Sequence, residues 1–223
     1  MEIRIRATGQ VMFWNEFREL LLSRNPSELI TVAPQTGVKT LKELVALAKQ
    51  RPGQLTFASS ASGTQLVGEL FKQATGTRIE HIPYKGAGPA VIDLLAGNVQ
   101  MMYSNPTAAV PHVKTGRLRG LAVTGRKRLE ALPELITGVE AGYPQLDVLG
   151  WYGIVVPTGT PQAIIDKLRK ATIDAINTSI VRDRFANEGA APLGVEPARF
   201  AEMMQAESAR WATVIKNANI EMN

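Results

Sequence analysis

Between Thr40 and Thr124, helix and strand signals alternate with regular punctuation, and this alternation restricts the fold more than any other feature. Thr40-Leu-Lys-Glu43 reads as a capping box that opens a helix to Gln50, and Pro52-Gly53 stops it. A strand over Gln54–Ala58 follows, then a helix over Thr64–Thr75 closed by Gly76, then a strand over Arg78–Pro83. Pro89 suits the first turn of a helix through Leu95, and Val99–Tyr103 is a third strand. Pro106 starts a helix that ends before Gly116, and Leu118–Thr124 is a fourth strand. This succession predicts an α/β fold, a largely parallel sheet with helices on both faces.

After Thr124 the pattern changes. Residues 125–148 hold turns and a short helix near Val139–Ala141. Gly150–Val156 is an apolar strand, and Pro157-Thr-Gly-Thr-Pro161 punctuates the chain. Thr160 is expected to cap a helix that Pro161 begins and that runs to about Asn177. Two more helices are expected over Val181–Glu188 and Ala198–Ala218. A lobe boundary is placed near residues 148–157.

The junction at Phe57–Gly68 is the most informative local stretch. A strand runs into Ser59-Ser-Ala-Ser-Gly-Thr64, and that loop opens a helix. Free backbone N–H groups, serine hydroxyls and the positive end of a helix dipole then meet at one spot, which favours an anion. An ordinary serine-rich N-cap is the competing reading. The loop contains no lysine, histidine or carboxylate, which points to binding rather than catalysis. Ligands in open parallel sheets sit beyond the carboxyl ends of the strands. Three such ends carry polar or glycine-rich loops: Ser59–Gly63, Tyr84-Lys-Gly86-Ala-Gly88 and Ser104-Asn105. All three are expected to converge on one rim.

Other chemistry is missing. No Gly-x-Ser-x-Gly elbow occurs, no complete dinucleotide fingerprint and no Gly-Lys-Ser/Thr phosphate loop. His81 and His112 lack an i+4 partner and read as structural, so no metal and no cofactor are expected. Asp93 and Glu69 fall on helices, where a solvent-facing charge is the default. The tryptophans Trp14, Trp151 and Trp211 read as core or interface anchors. Cysteine is absent, which excludes disulfides and thiolate chemistry. The 223 residues carry a net charge of +5. The densest basic cluster, Arg117, Arg119, Arg126, Lys127 and Arg128, has no interleaved aromatic residue, so it reads as a solvated face and not as a nucleic-acid site. No apolar run is long enough to cross a bilayer. Residues 1–22 alternate charged and apolar residues and do not read as a signal peptide.

Several ordered stretches resemble one family. They include Val38-Lys-Thr-Leu-Lys-Glu-Leu-Val-Ala-Leu-Ala-Lys49, Gly68-Glu-Leu-Phe-Lys72 and His81-Ile-Pro-Tyr-Lys-Gly-Ala-Gly-Pro-Ala90. Asp93-Leu-Leu-Ala-Gly-Asn-Val99, Gly116-Arg-Leu-Arg-Gly-Leu-Ala-Val-Thr124, Glu140-Ala-Gly-Tyr-Pro144 and Gly150-Trp-Tyr-Gly-Ile-Val-Val-Pro-Thr-Gly-Thr-Pro161 continue the series. From about Glu28 onward the chain is similar to the Bug family, the extracytoplasmic solute-binding proteins of tripartite tricarboxylate transporters. The resemblance implies a two-lobed, venus-flytrap α/β protein that holds a small carboxylate between its lobes, works with the transporter's membrane components and is periplasmic. It places ligand contacts on Ser59, Ser60, Ser62, Gly63, Thr64, Tyr84, Gly86, Ser104 and Asn105. Ser104 stands where the family often has aspartate.

The family's first βα unit and its Pro-Gly-Gly-rich loop have no visible counterpart, so the chain resembles an N-terminally truncated member. Residues 1–37 are then expected as an atypical segment with a remnant of the first lobe. Residues 38–149 are expected as the complete second lobe, and 150–223 as the return strand and C-terminal helices of the first. With one gripping loop of two, weak or absent carboxylate binding is expected, as is self-association through the incomplete lobe. Without a signal peptide, the chain as given is expected in the cytoplasm. The alternative reading is a serine-dependent hydrolase or transferase using Ser60 or Ser62, which needs a general base within hydrogen-bond reach. A third is a degenerate product with no ligand.

Overall fold

The computed structural model describes residues 4–7, 10–13, 17–24, 27–148, 151–187, 191–192 and 197–220. Trp14, the Gly150 start of the expected strand and the Glu188 end of the expected helix lie outside them. In chain order the first elements are β1 (Arg4–Ala7), β2 (Gln10–Phe13), β3 (Phe17–Arg24) and β4 (Leu29–Val32). Next come α1 (Leu41–Gln50), β5 (Thr56–Ser59), α2 (Ser62–Thr75), β6 (Glu80–Pro83), α3 (Ala87–Ala96), β7 (Met101–Ser104), α4 (Pro106–Lys114) and β8 (Arg119–Val123). The last are β9 (Trp151–Pro157), α5 (Gln162–Ile176), α6 (Ser179–Asn187), β10 (Ala191–Pro192) and α7 (Pro197–Ala218).

The chain divides into two compact units, Met1–Asn25 with Trp151–Asn223, and Pro26–Gly150. In the first, β1 and β2 form an antiparallel pair, and β3 lies between β10 and β9, antiparallel to both. The alternation of Arg4-Ile5-Arg6-Ala7 in β1 is the period-2 pattern of a strand. The second unit holds one five-stranded sheet in the order β6-β5-β7-β4-β8. β5 runs parallel to β6 and β7, whereas β4 is antiparallel to both β7 and β8. The expected largely parallel sheet is therefore mixed, with its one reversed strand in the interior.

That reversed strand corrects the expected boundary as well. Residues 26–37, expected with the first lobe, belong to the second unit and supply β4. Leu29, Ile30 and Val32 are fully buried, because β4 is flanked on both sides.

Side chains alternate across the sheet and sort the helices onto two faces. Ala58, Met102 and Leu118 pack with Ala90, Val91 and Leu94 of α3, while Leu29 and Val123 pack with Ala109 of α4. On the opposite face the Phe57 and Tyr103 rings meet edge to face at 5.6 Å, and Phe71 of α2 stands 5.9 Å from Tyr103. The approach of α2 to β5 depends on Gly68. A Cβ there would lie 2.3 Å from Cε2 of Phe57.

Local chemistry sets most ends. Thr40 Oγ1 accepts from the Glu43 N–H at 3.1 Å, while the Glu43 carboxylate takes the Lys39 N–H at 2.7 Å, one residue earlier than a capping box requires. Gly76 and Gly97 close α2 and α3 in the left-handed conformation. Thr160 does not cap α5; its hydroxyl donates to the Pro157 carbonyl, and Pro161 is the N-cap residue. The short helix expected near Val139–Ala141 is a set of turns. Thr137 Oγ1 accepts from the Glu140 N–H and the Glu140 carboxylate accepts from the Thr137 N–H, so a reciprocal box forms with no helix behind it.

Candidate carboxylate-binding rim

The parallel register of β5, β6 and β7 brings their carboxyl ends to one edge of the sheet. Ser59 is paired with Pro83, and Ala58 with Met102. Ser59, the turn after Pro83, and Ser104 therefore share a rim, as the sequence predicts. Glu28 and Thr124 reach the same rim, because β4 runs the other way and Leu29 lies opposite both Ser104 and Val123.

The Ser59–Thr64 loop is held by one side chain. Thr64 Oγ1 accepts from the N–H groups of Ser60 (3.1 Å) and Ala61 (3.2 Å) and donates to the Ala61 carbonyl (2.9 Å). Thr64 is buried, whereas Ser62 and Gly63 are exposed. The helix begins at Ser62, two residues earlier than the sequence predicts. The Gln65 N–H already bonds to the Ala61 carbonyl, so it is not available. The N–H groups of Ser62, Gly63 and Thr64 precede the first intrahelical bond and have no acceptor among the described residues. No atom lies within 4 Å of where a Cβ on Gly63 would stand. This helix start can take an anion on its amides.

Ser59 has a partner that the sequence reading missed. Its hydroxyl lies 2.6 Å from His81 Nε2, and the His81 ring stacks at 4.9 Å on Phe57. Burial, Glu69 and Lys72 act on this imidazole, and the net result holds it below its ordinary value, so it is neutral near pH 7. Glu69 is buried and paired with Lys72 at 2.8 Å, not solvent-facing. The parity of β6 was the available signal: in a parallel pair, the residue two before Pro83 shares a face with Ser59.

The other expected contacts divide between the two faces. The Tyr84 hydroxyl donates to Asp93 at 2.7 Å, and Asn98 donates to the same carboxylate at 3.1 Å. Burial, with the Asp93 bond, pushes the phenol up to about 12, and those two donors hold Asp93 below its ordinary value. Asp93 is thus a bonded anchor rather than a free surface charge. Tyr84 packs on the α3 side and fixes the turn that leads to Gly86, whose φ of 103° is in the glycine-favoured region. Gly86 donates its N–H to the Tyr84 carbonyl. Ser104 lies on the face of Leu29, opposite to that of Ser59. It is 1% exposed, and its Oγ has no partner among the described residues. The Asn105 carbonyl accepts from Ala108 as α4 starts. The basic cluster is largely tied up: Arg126 pairs with Asp147 at 2.6 Å, Arg128 with Glu140 at 3.1 Å, and Arg119 donates to the Val38 carbonyl. Among the described residues no group of His, Asp and Glu could hold a metal ion, and no helix is long and apolar enough to cross a membrane.

A mixed α/β unit with polar loops gathered at the strand ends is the arrangement of periplasmic binding proteins, and solved structures of that class match. A periplasmic transporter protein superposes with a TM-score of 0.83 at 33% identity, covering 93% of this chain and 70% of that one. A Rhodopseudomonas palustris protein solved with adipate gives 0.82 at 34% identity, covering 92% and 69%. MatC from the same species, solved with malate, gives 0.80 at 28%, covering 89% and 69%. Residues 17–220 match the TctC family, described as the tripartite tricarboxylate transporter family receptor, and the chain belongs to it. The match begins earlier than Glu28, where the sequence resemblance starts, and takes in β3. Among curated relatives, protein BugT of Bordetella pertussis is 36% identical over 199 residues, which is 88% of this chain and 61% of BugT. A UPF0065 protein of Pseudomonas knackmussii is 31% identical over 167 residues, 74% of this chain and 99% of that protein. The chain thus spans less than two thirds of the length of BugT.

Proposed function

We propose that this chain is the solute-capturing component of a tripartite tricarboxylate transporter and holds a small carboxylate at the rim of the Pro26–Gly150 unit. The observation that carries this reading is the open amide set of Ser62, Gly63 and Thr64 at the start of a 14-residue helix. A carboxylate there accepts from backbone donors and lies at the positive end of the helix dipole. The neighbours solved with adipate and malate are consistent with this ligand class. The amides of Ser62, Gly63 and Thr64 supply the donors, and the Tyr84–Gly86 turn and the Ser104-Asn105 corner lie along the same rim. The membrane subunits of the transporter are the partners, and the site of action is extracytoplasmic. Calorimetric titration with C4 to C6 dicarboxylates tests the reading. Saturable binding that is lost in Thr64→Val supports it, and absence of binding across the panel overturns it.

The serine-hydrolase reading gains one observation, the contact between Ser59 and His81. It is disfavoured by burial: Ser59 is 4% exposed, so its hydroxyl has no room to attack an acyl carbon. Ser60 and Ser62 have no histidine bond among the described residues. Hydrolysis of a p-nitrophenyl ester that disappears in Ser59→Ala would reverse this preference.

A further inference from the structure

β9 is an unguarded sheet edge. It is the last strand of the β10-β3-β9 sheet, and among the described residues β3 is its one neighbour. Its seven residues, Trp151-Tyr-Gly-Ile-Val-Val-Pro157, carry no charge, and their one proline is the last. The other edges of the two larger sheets are guarded. β6 carries Glu80 and Pro83, β10 has two residues and includes Pro192, and β8 starts at Arg119 and ends in a bridge from Val123 to Thr137. An edge that is long, apolar and uncharged is a template for another strand.

The face beside this edge is apolar too. Val156 and Ile165 of α5 are buried against each other. Ile154 lies two residues before Val156 and so shares its face, yet it is 46% exposed. Ile164 and Leu168, one turn apart on a flank of α5, are 49% and 42% exposed. β9 and β10 run parallel, one on each side of β3, and α5 lies on the crossover between them. In the right-handed sense of such crossovers, the flank with Ile164 and Leu168 overhangs the open side of β9. Ile154 is then the floor of an apolar shelf, and α5 is its wall.

We infer that this shelf is an interface between two copies of the chain, with β9 paired antiparallel to β9 of the second copy about a twofold axis at Ile154. The inference concerns the other unit and stands apart from the carboxylate reading. A register centred on Ile154 lays all seven residues of β9 against themselves and sets Ile154 on Ile154 between the two α5 walls. The charges match this axis. Ile154 is roughly 7 Å along β9 from Val156, and roughly 7 Å along α5 from Ile165 is four to five residues, so the axis is level with Arg169 and Lys170. Lys167 and Asp174, both exposed, straddle that level on the side of α5 away from Val156. The twofold brings Lys167 of each copy opposite Asp174 of the other. Asp174 holds Lys170 at 2.6 Å through Oδ2, which leaves Oδ1 for the incoming lysine. The self-association expected from the sequence thus acquires a defined surface.

The test is sedimentation equilibrium of the full chain over about a hundred-fold range of concentration. The mass is expected to climb from one chain to two and stop there, since a twofold contact closes on itself. Ile154→Lys sets like charges face to face at the axis and should weaken the dimer about ten-fold or more. Lys167→Asp and Asp174→Lys should each weaken it several-fold, because each sets like charges across the axis. An equimolar mixture of those two variants should associate as the unchanged chain does. The chain has no cysteine, so Ile154→Cys reports the geometry directly. Under mild oxidation it should cross-link into a dimer, whereas Ile92→Cys, at a site 66% exposed in the other unit, should not. Circular dichroism melts confirm that each variant is folded. A chain that stays monomeric across the range has its edge covered within its own polypeptide or by another protein, and this overturns the inference. Open-ended growth in mass, equal cross-linking at both cysteines, or no rescue in the mixture overturns it as well.

Discussion

Ser59 Oγ and His81 Nε2 stand 2.6 Å apart across the parallel pair β5 and β6, at the strand end that leads into the helix-start amides. The contact ties the loop's first residue to the neighbouring strand and gives folding a pH dependence. Burial disfavours the imidazolium, so the native state binds fewer protons than the unfolded chain over the range just below the ordinary value of 6.5. The His81 contribution is present in full above that value and is lost as pH falls through it toward the depressed native pKa. Urea unfolding between about pH 5 and pH 8 should show this decline, and His81→Gln should remove part of it. An imidazole that titrates above 6.5 in an NMR series would overturn the assignment.

Thr64 is the side chain that shapes the loop. Replacing it with valine keeps the volume and strands the N–H groups of Ser60 and Ala61. Thr64→Val should cost about 1–2 kcal/mol, as for loss of an N-cap oxygen, and Thr64→Ser should restore most of it. Equal stabilities for the two variants in urea melts would show that the loop is held by something else.

Two glycines of α2 should respond in opposite directions. At Gly68 a methyl group collides with the buried Phe57 ring, so Gly68→Ala should destabilise by about 1–3 kcal/mol. At Gly63 there is open space, and alanine is the better helix former, so folding should gain up to about 1 kcal/mol. Gly63→Ala should nevertheless weaken carboxylate binding several-fold, because its methyl group stands beside the open amides. Unfolding and calorimetry on the same samples separate the two effects.

The fragment spanning residues 26–150 should fold cooperatively on its own, because it contains β4 and both apolar clusters of the sheet. The fragment 38–149 should not. It lacks buried Leu29, Ile30 and Val32 and leaves β7 and β8 without the strand between them. Within the full chain, Ile30→Ala should cost about 2–5 kcal/mol. A folded 38–149 fragment with a sharp melt would restore the earlier boundary.

The elements bounded by strong punctuation were legible in the sequence. Pro52-Gly53, Gly76 and Gly97 mark helix ends whose chemistry is local, so α1, α2 and α3 are found to within a few residues. β4 was missed because four apolar residues between Pro26 and Pro34 carry no periodicity of their own. Their role depends on pairing with residues 69 or more positions away. The convergence of three loops on one rim followed from β-α alternation alone. The Ser59–His81 contact did not, because it requires the register of β5 against β6. Thr160 was misread because the spacing of a cap also fits a hydroxyl that turns back to its own loop.

The close seat of Gly68 on Phe57 has a thermodynamic meaning for the site. A helix pressed against its own preceding strand by a missing side chain, with the intervening loop latched by Thr64, has almost no conformations left to lose. The donors at Ser62, Gly63 and Thr64 are then preorganised, and an arriving anion meets amides already in position. Whatever entropy this rim contributes to recognition was surrendered when the unit folded, so the ordering penalty of binding falls on the ligand and on the water it displaces.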